Sequence, residues 1–403
     1  MKKSITILSL LVLGCALAGS ALAATPNWDV TGTWKWLVLG TYEHDMVLSQ
    51  NPDGTFSGTG GYPAGSSPYT DPGQTSEVIT NGVVDGDTVT FTTTYDGPYN
   101  PGYSVTVSGT IAPDGTMSGN SPWEWHTTEG SATFNRYAEI VKPEENEIVF
   151  GDLSLEAFLF DNEEDPVQWA VRKGTCAAGT NTVLGNVDGH TDSLTMSYDG
   201  TYTYTYAGSF DITGFDGGMY CFIFNPKEDA GETDIRLTRQ FYIAEGGIHG
   251  GGQIIEKKGS KPKDDLKISF GGYAWDIGSE GYVGEWQINF HNVGQDDLDK
   301  ATFHANEVQA MNFYTGTGTC DEAMNMTLVG TLNGEEGWKV IFRAGDLGEG
   351  RCGYEDFVDT VRVELYEGSA KRYDTNGGDF TPESSCVGTS RTGLDNGNVT
   401  IEF

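Results

Sequence analysis

Residues 83–91 read VVDGDTVTF, and this stretch decides the fold class. Apolar residues flank the turn Asp85-Gly86-Asp87, a pattern typical of two β-strands joined in a hairpin. Two further segments, 49–58 and 110–119, share the pattern PDGT-x-SG, in which a proline-led turn opens a strand. Helical periodicity is nearly absent, and 56 glycines and 14 prolines indicate frequent turns. The sequence therefore predicts an all-β protein.

The 403 residues are enough for several domains, and strand density divides them into three blocks. Residues 24–137 contain about eight short alternating strands, which predict a small up-and-down barrel without exposed edges. Residues 138–248 contain six or seven strands at turn spacing, as in an immunoglobulin-like β-sandwich. Residues 249–403 form a third β domain. We predict a small barrel followed by two β-sandwich-like domains.

The segment VTGTWKW, residues 30–36, resembles the Gly-x-Trp strand of the calycin barrels, the lipocalins and avidins. The resemblance implies a barrel that can hold a small apolar ligand. Two positions at which avidins contact biotin hold Trp36 and Gly40, so biotin is not the expected ligand. The alternative is that aromatic side chains fill a narrow interior, as in many small barrels. In the second block, QWAVRKGTCAAGTNTVLGNVDG resembles an immunoglobulin-like repeat of secreted bacterial proteins.

The glycine-rich run GGIHGGGQ, residues 246–253, separates the second and third blocks. A phosphate-binding glycine loop would open a helix, but the polar segment that follows has no helical period. We therefore predict a joint between two domains. The motifs GGGQI, ISFGG, GEWQINFHNV and the final GNVTIEF resemble a C-terminal β module of secreted bacterial proteins. That resemblance implies that GGGQI is the first strand of the module and GNVTIEF its last.

The first 23 residues predict export. Two lysines, an apolar run and Ala21-Leu22-Ala23 are typical of a signal peptide cleaved before Ala24. The alternative is a lipid anchor at Cys15, because Val12-Leu13-Gly14-Cys15 resembles a lipobox. We expect a secreted, periplasmic or cell-envelope protein with no transmembrane segment after the signal peptide.

The formal net charge of −35 limits the partners. A surface this acidic repels nucleic acid and anionic lipid, so neither is expected as a partner. Calcium is the one cofactor that the composition leaves open, because residues 161–166 and 294–299 are rich in the oxygen ligands it prefers. Neither segment has EF-hand spacing, and a solvated acidic loop is the simpler interpretation.

The cysteines also agree with an oxidising compartment. No pair has CxxC spacing. Within the second block we predict a Cys176–Cys221 disulfide, which closes a loop worth about 3–4 kcal/mol. In the third block three pairings are open, of which we favour Cys320–Cys386 with Cys352 left as an odd thiol.

No catalytic motif stands out. The six histidines show neither HExxH nor zinc-pair spacing, and no GxSxG is present. We predict a non-enzymatic protein with a binding or adhesion role. The alternatives are a small-ligand carrier and a carbohydrate-binding accessory protein, and the partner is a small apolar ligand or an extracellular polysaccharide or protein. The candidate ligand-binding residues lie in the barrel: Trp34, Trp36, Trp123 and Trp125.

Overall fold

The computed structural model describes residues 26–62, 76–96, 102–177, 181–186, 190, 192–227, 235–256, 266–293, 298–315, 322–346, 360–375 and 396–402. Within these residues the chain forms 28 strands and one short 3-10 helix, Gly278–Glu280, so the predicted all-β class is confirmed. It forms two compact units, of which unit 1 contains residues 1–137, 159–164 and 199–203 and unit 2 the remainder. The boundaries of the three predicted domains stay predictions.

Unit 1 contains a closed barrel of eight strands, so the predicted up-and-down barrel is confirmed. Each strand pairs antiparallel with the next, and the last pairs with the first. The barrel strands are β2 (Gly32–Val38), β3 (Tyr42–Gln50), β4 (Thr55–Gly61), β5 (Ser76–Asp85), β6 (Thr88–Asp96), β7 (Tyr103–Ile111), β8 (Met117–Ser121) and β9 (Trp125–Glu129). A separate two-stranded sheet joins β1 (Trp28–Asp29) to β10 (Thr133–Phe134).

The hairpin predicted at residues 83–91 joins β5 to β6, and Gly86 adopts the positive φ of 56° that its turn requires. The two PDGT turns are built alike. Asp53 accepts hydrogen bonds from the amide and hydroxyl of Thr55, at 3.0 and 2.6 Å, and Asp114 does the same for Thr116. These bonds fix the tight turns at the barrel end where Trp28 packs against Phe134.

Two sheets follow. A four-stranded sheet has the order β11-β13-β17-β16 and a five-stranded sheet the order β12-β19-β18-β14-β15. Tyr206 of the first sheet contacts Phe224 of the second at 5.5 Å between ring centroids. The strands are β11 (Tyr137–Lys142), β12 (Ile148–Val149), β13 (Asp152–Phe160), β14 (Val167–Lys173), β15 (Asn181–Gly185), β16 (Thr195–Tyr198), β17 (Thr203–Asp211), β18 (Gly218–Pro226) and β19 (Leu237–Ile243).

The predicted Cys176–Cys221 disulfide is confirmed, with the two Cα atoms 5.0 Å apart. It ties the segment after β14 to the middle of β18 and closes a loop of 45 residues. By restricting the unfolded chain, such a loop closure contributes about 3–4 kcal/mol.

The last sheet has nine antiparallel strands in the order β27-β26-β25-β24-β23-β22-β21-β20-β28, and β28 also approaches β24 and β25 across an apolar core. The strands are β20 (Gly246–Glu256), β21 (Leu266–Asp276), β22 (Tyr282–His291), β23 (Thr302–Thr315), β24 (Glu322–Leu332), β25 (Glu335–Asp346), β26 (Thr360–Glu367), β27 (Ala370–Asp374) and β28 (Asn396–Glu402).

The glycine-rich run, predicted as a joint, lies entirely in β20 and pairs with β21 on one side and β28 on the other. It is therefore an interior strand of the sheet, next to the edge strand β28. A Cβ on Gly247 would lie 2.0 Å from Cε3 of Trp275, so this glycine allows the indole to lie against the strand. The first and last strands of this sheet in chain order, β20 and β28, pair with each other.

Candidate functional site

Three of the four predicted ligand-binding tryptophans lie inside the barrel. Trp34, Trp36 and Trp125 are at most 1% exposed. Nε1 of Trp34 donates to the carbonyl of Val30 at 2.9 Å, which fixes this ring in the barrel wall. The rings of Trp36, Trp125 and Phe91 contact one another edge to face, with centroids 5.7–6.1 Å apart. This aromatic cluster fills the middle of the barrel.

Trp123 lies elsewhere. It precedes β9, is half-buried, and packs against the edge of the barrel core. Because Trp125 is 1% exposed, Trp123 and Trp125 do not form an exposed pair of rings. The structure thus brings Trp36 and Trp125 together and leaves Trp34 and Trp123 in different surroundings.

A polar layer lies next to the aromatic cluster. Nδ1 of His44 forms a hydrogen bond with Oε1 of Glu77, and the hydroxyl of Thr93 donates to Oε2 of the same carboxylate at 3.2 Å. These three side chains, on β3, β5 and β6, are at most 1% exposed. We call them the polar layer. Each points inward because it continues the alternation of apolar core residues on its strand.

Aromatic rings surround the histidine of this layer. The His44 ring lies 4.3 Å from that of Tyr62 and 5.0 Å from that of Trp36, with Tyr95 further away at 6.2 Å. Burial raises the pKa of Tyr95 well above its ordinary value, and the carboxylate of Glu77 adds to this shift. The Tyr95 phenol therefore stays protonated and can donate a hydrogen bond.

Further tyrosines of the described barrel residues lie at the same end. Tyr95 stacks on Tyr103, with centroids 6.0 Å apart, and Tyr103 is 50% exposed. Tyr42 packs against the barrel core at the first residue of β3. We call this region the aromatic end and define it by Tyr42, Tyr62, Tyr95, Tyr103 and Trp123.

One donor beneath this end lacks a partner. Nε1 of Trp36 is buried and has no hydrogen-bond partner among the described residues. Backbone also comes close to the polar layer at Gly60, where a Cβ would lie 3.5 Å from Oε2 of Glu77 and 2.8 Å from the carbonyl of Asp45. The aromatic end thus combines ring surfaces, a buried carboxylate and an unpaired donor, which together suit the recognition of a small ring with one acceptor group.

No protein-family model, curated protein or solved structure matches this chain. The assignment of the barrel and the sheets therefore comes from the structure alone. The calycin, immunoglobulin-like and GGGQI resemblances remain resemblances of sequence pattern.

Metal binding gains no support from the geometry. The described part of the chain contains no group of three or more His, Cys, Asp or Glu side chains arranged to hold a metal ion. In the acidic segment 161–166, Asp161 instead pairs with Nε of Arg136 at 2.7 Å. Most of the second segment suggested for calcium, residues 294–297, lies outside the described residues.

Several predictions fall on residues that the structure does not describe. These are the signal peptide, Cys15, Cys352 and the Cys320–Cys386 pairing. In the described ranges, no helix is both long enough and apolar enough to cross a membrane.

The polar layer was not predicted from the sequence. His44 stands two residues before the buried Met46, and Glu77 two residues before the buried Ile79, so strand parity places both inward. The two-residue alternation, applied to charged as well as apolar positions, predicts that His44 and Glu77 both point into the barrel. Their mutual contact is harder to predict, because 33 residues separate them along the chain.

Proposed function

We propose that this chain is an exported, non-catalytic binding protein whose barrel holds a small ring-shaped ligand at the aromatic end. The observation that carries the proposal is the polar layer of His44, Glu77 and Thr93, buried directly beneath a group of tyrosines. It adds the polar chemistry that the four predicted tryptophans lack.

If the polar layer served only folding, burying it would cost free energy that apolar side chains would not. Removing an ionisable pair from water costs several kcal/mol per charge, and apolar side chains of similar volume would often serve the fold as well. Apart from Thr127, the other buried side chains of the described barrel strands are apolar. A buried polar layer at one end therefore favours recognition of a ligand over packing.

The surroundings indicate the chemistry of the ligand. The ring faces of Tyr62 and Tyr95 favour a flat or ring-shaped molecule, and Trp36 Nε1 requires a hydrogen-bond acceptor. Trp36, Trp125 and Phe91 occupy the middle of the barrel, so the ligand is small and lies near its end. Stacking of a polysaccharide on Trp123 and Trp125 has less support, because only Trp123 is accessible.

In the described part of the barrel, no hydroxyl or thiol of Ser, Thr or Cys is hydrogen-bonded to His44. The hydroxyl of Thr93 donates to Glu77 rather than to His44, so the layer lacks the relay of nucleophile, base and orienting group that acyl transfer uses. We therefore favour binding over catalysis at this site.

Export remains part of the proposal. A disulfide is compatible with an oxidising compartment, which supports secretion or a periplasmic or cell-envelope location. The intact mass of the purified chain distinguishes cleavage before Ala24 from lipidation at Cys15.

The test is native mass spectrometry of the full chain, purified gently from an exporting bacterial host. We expect an added non-covalent mass on the wild type and its loss in the double variant His44→Phe/Glu77→Met, whose thermal melt shows that it still folds. The control is Tyr198→Ala, which removes a tyrosine that is 50% exposed outside the barrel. A bare wild-type mass, or an equal ligand mass on the double variant, contradicts the proposal.

A further inference from the structure

We propose that a pocket on the outer face of the five-stranded sheet binds the oxyanion group of a small anionic ligand. The pocket encloses about 240 Å³ and lies wholly within unit 2, so it is independent of the barrel site. It is lined by Gln168, Trp169, Ala170, Arg172, Ile223, Asn225 and Arg236.

The strand pattern builds this pocket. On β14, Trp169 and Val171 face the sandwich core, which turns Gln168, Ala170 and Arg172 to the other face. On β18, Ile223 and Asn225 lie opposite Ala170 and Gln168 in the register. Small and apolar side chains thus form the floor, and longer polar side chains stand around it.

An unpaired donor lies at this pocket. Nε of Arg172 is buried and has no hydrogen-bond partner among the described residues. A buried guanidinium donor without an acceptor loses its hydration without compensation, so such a group calls for a water or an ion. Because the side chain is cationic and lines a cavity, an anion is the ligand that neutralises its charge there.

The described lining of the pocket is basic, although the chain as a whole is acidic. Acidic residues outnumber Lys and Arg by 58 to 23, yet the lining residues that the structure describes include two arginines and no carboxylate. Neither arginine has an ion pair with a carboxylate of the described residues. A third cation is close, since Asn225, oriented with its amide nitrogen toward the Ile235 carbonyl, accepts from Nζ of Lys227 at 3.1 Å.

The size of the pocket limits the ligand. Water occupies about 30 Å³ per molecule, so the cavity has room for one oxyanion with a few waters and not for a sugar chain. Arg236 is exposed at its edge, so a larger molecule can insert a sulfate, phosphate or carboxylate group from solvent. The shared chemistry is therefore a single oxyanion group, free or as a substituent of a larger molecule.

The test follows the Nε–Hε resonance of Arg172 in the full chain by NMR, assigned by its loss in Arg172→Lys. Sodium sulfate, sodium phosphate and sodium acetate each replace sodium chloride at constant ionic strength. We expect a saturable shift of this resonance with at least one anion. Arg236→Gln should weaken the binding about tenfold, the effect of losing one charged hydrogen bond. Arg236 is exposed, so this variant is expected to fold.

The matched control is Lys173→Gln, which removes one positive charge from the same strand at a side chain paired with Asp216, outside the pocket. It should leave the titration unchanged. A second arm uses dextran sulfate, and a shift with this polymer at concentrations where free sulfate gives none assigns the site to a sulfate substituent. Absence of a shift with every anion overturns the proposal.

The chain itself is the remaining source of carboxylates, because residues 228–234 contain four acidic residues. The variant Glu228→Gln/Asp229→Asn/Glu232→Gln/Asp234→Asn separates this case. One outcome is that the Arg172 resonance of this variant differs from that of the wild type without added anion, and that sulfate binds to the variant but not to the wild type. In that case a carboxylate of the chain occupies the pocket, and an external ligand is excluded.

Discussion

The barrel and the nine-stranded sheet place their charged side chains differently. Both are antiparallel and connect mostly neighbouring strands, but the barrel buries His44 and Glu77 in its interior. The interior of the sheet is an apolar cluster. Its charges lie on the other face, where Glu364 accepts hydrogen bonds from Arg343, Arg362 and Lys371. The sheet also buries a carboxylate, because Glu364 is 3% exposed, but this group lies outside the apolar core and has three cations around it. Glu77 lies inside the barrel with only His44 and Thr93 as hydrogen-bond partners, so the polar layer calls for a separate explanation.

The largest effect is expected from breaking the buried pair of the barrel. Glu77→Ala removes the acceptor of both His44 and Thr93 and should lower the free energy of unfolding by about 3–5 kcal/mol. The apolar double variant His44→Phe/Glu77→Met should cost less, because it removes the imidazole together with the carboxylate and leaves only the neutral hydroxyl of Thr93 without its acceptor. Hydrogen exchange of peptides from the barrel under increasing denaturant measures both. Equal losses in the two variants would mean that the layer is needed for packing.

An intermediate effect is expected in the sheet, at its glycine-rich strand. In the barrel Gly60 leaves room beside a carboxylate, whereas in β20 the space above Gly247 is filled by the indole of Trp275. Gly247→Ala should therefore force the indole away and destabilise the sheet by about 1–3 kcal/mol.

The matched control for this change is Gly271→Ala. Its Cβ would come no closer than 3.6 Å to another atom, so stability should hold or rise by up to about 1 kcal/mol. Hydrogen exchange of peptides from β20 and β21 measures both variants. Similar losses in the two would show that the indole contact at Gly247 carries no special weight.

The features of the barrel and of the sheets that could be predicted from the sequence are those with a local signal. Turns and alternation are local signals, so the hairpin at Gly86 and the barrel topology followed from them. The Cys176–Cys221 bridge followed because Cys176 was the only nearby partner in its block. The inward position of Trp36 likewise follows from a two-residue period.

The missed features depend on contacts that no local pattern encodes. The glycine-rich run reads as a loop because glycine disfavours strands, and its strand state depends on pairing with β28, about 150 residues further on. The polar layer depends on three strands, of which only β5 and β6 pair directly, because β4 lies between β3 and β5 in the sheet. Arg172 reads as an ordinary outward residue of β14, and its unpaired Nε is visible only once β18 lies beside it.

The smallest effect is expected at the outer face of the sheet, and it depends on pH. Burial alone would raise the pKa of Glu364, but hydrogen bonds from Lys371 and Arg343, with the charge of Arg362, hold that pKa below its ordinary value of 4.5. A carboxyl with a lowered folded-state pKa adds stability above its unfolded value and loses it as the pH falls through the folded value.

Glu364→Gln should therefore cost about 1 kcal/mol at pH 7, since solvent reaches the cations around the carboxylate. The difference from the wild type should shrink as the pH falls below about 4.5. Unfolding of the sheet, followed by hydrogen exchange between pH 7 and pH 3, measures this convergence. A constant gap between the two curves would show that the ionised carboxylate contributes nothing. The outer face of the sheet, like its interior, would then gain no stability from charge. Only the His44–Glu77 pair of the barrel would distinguish the two regions.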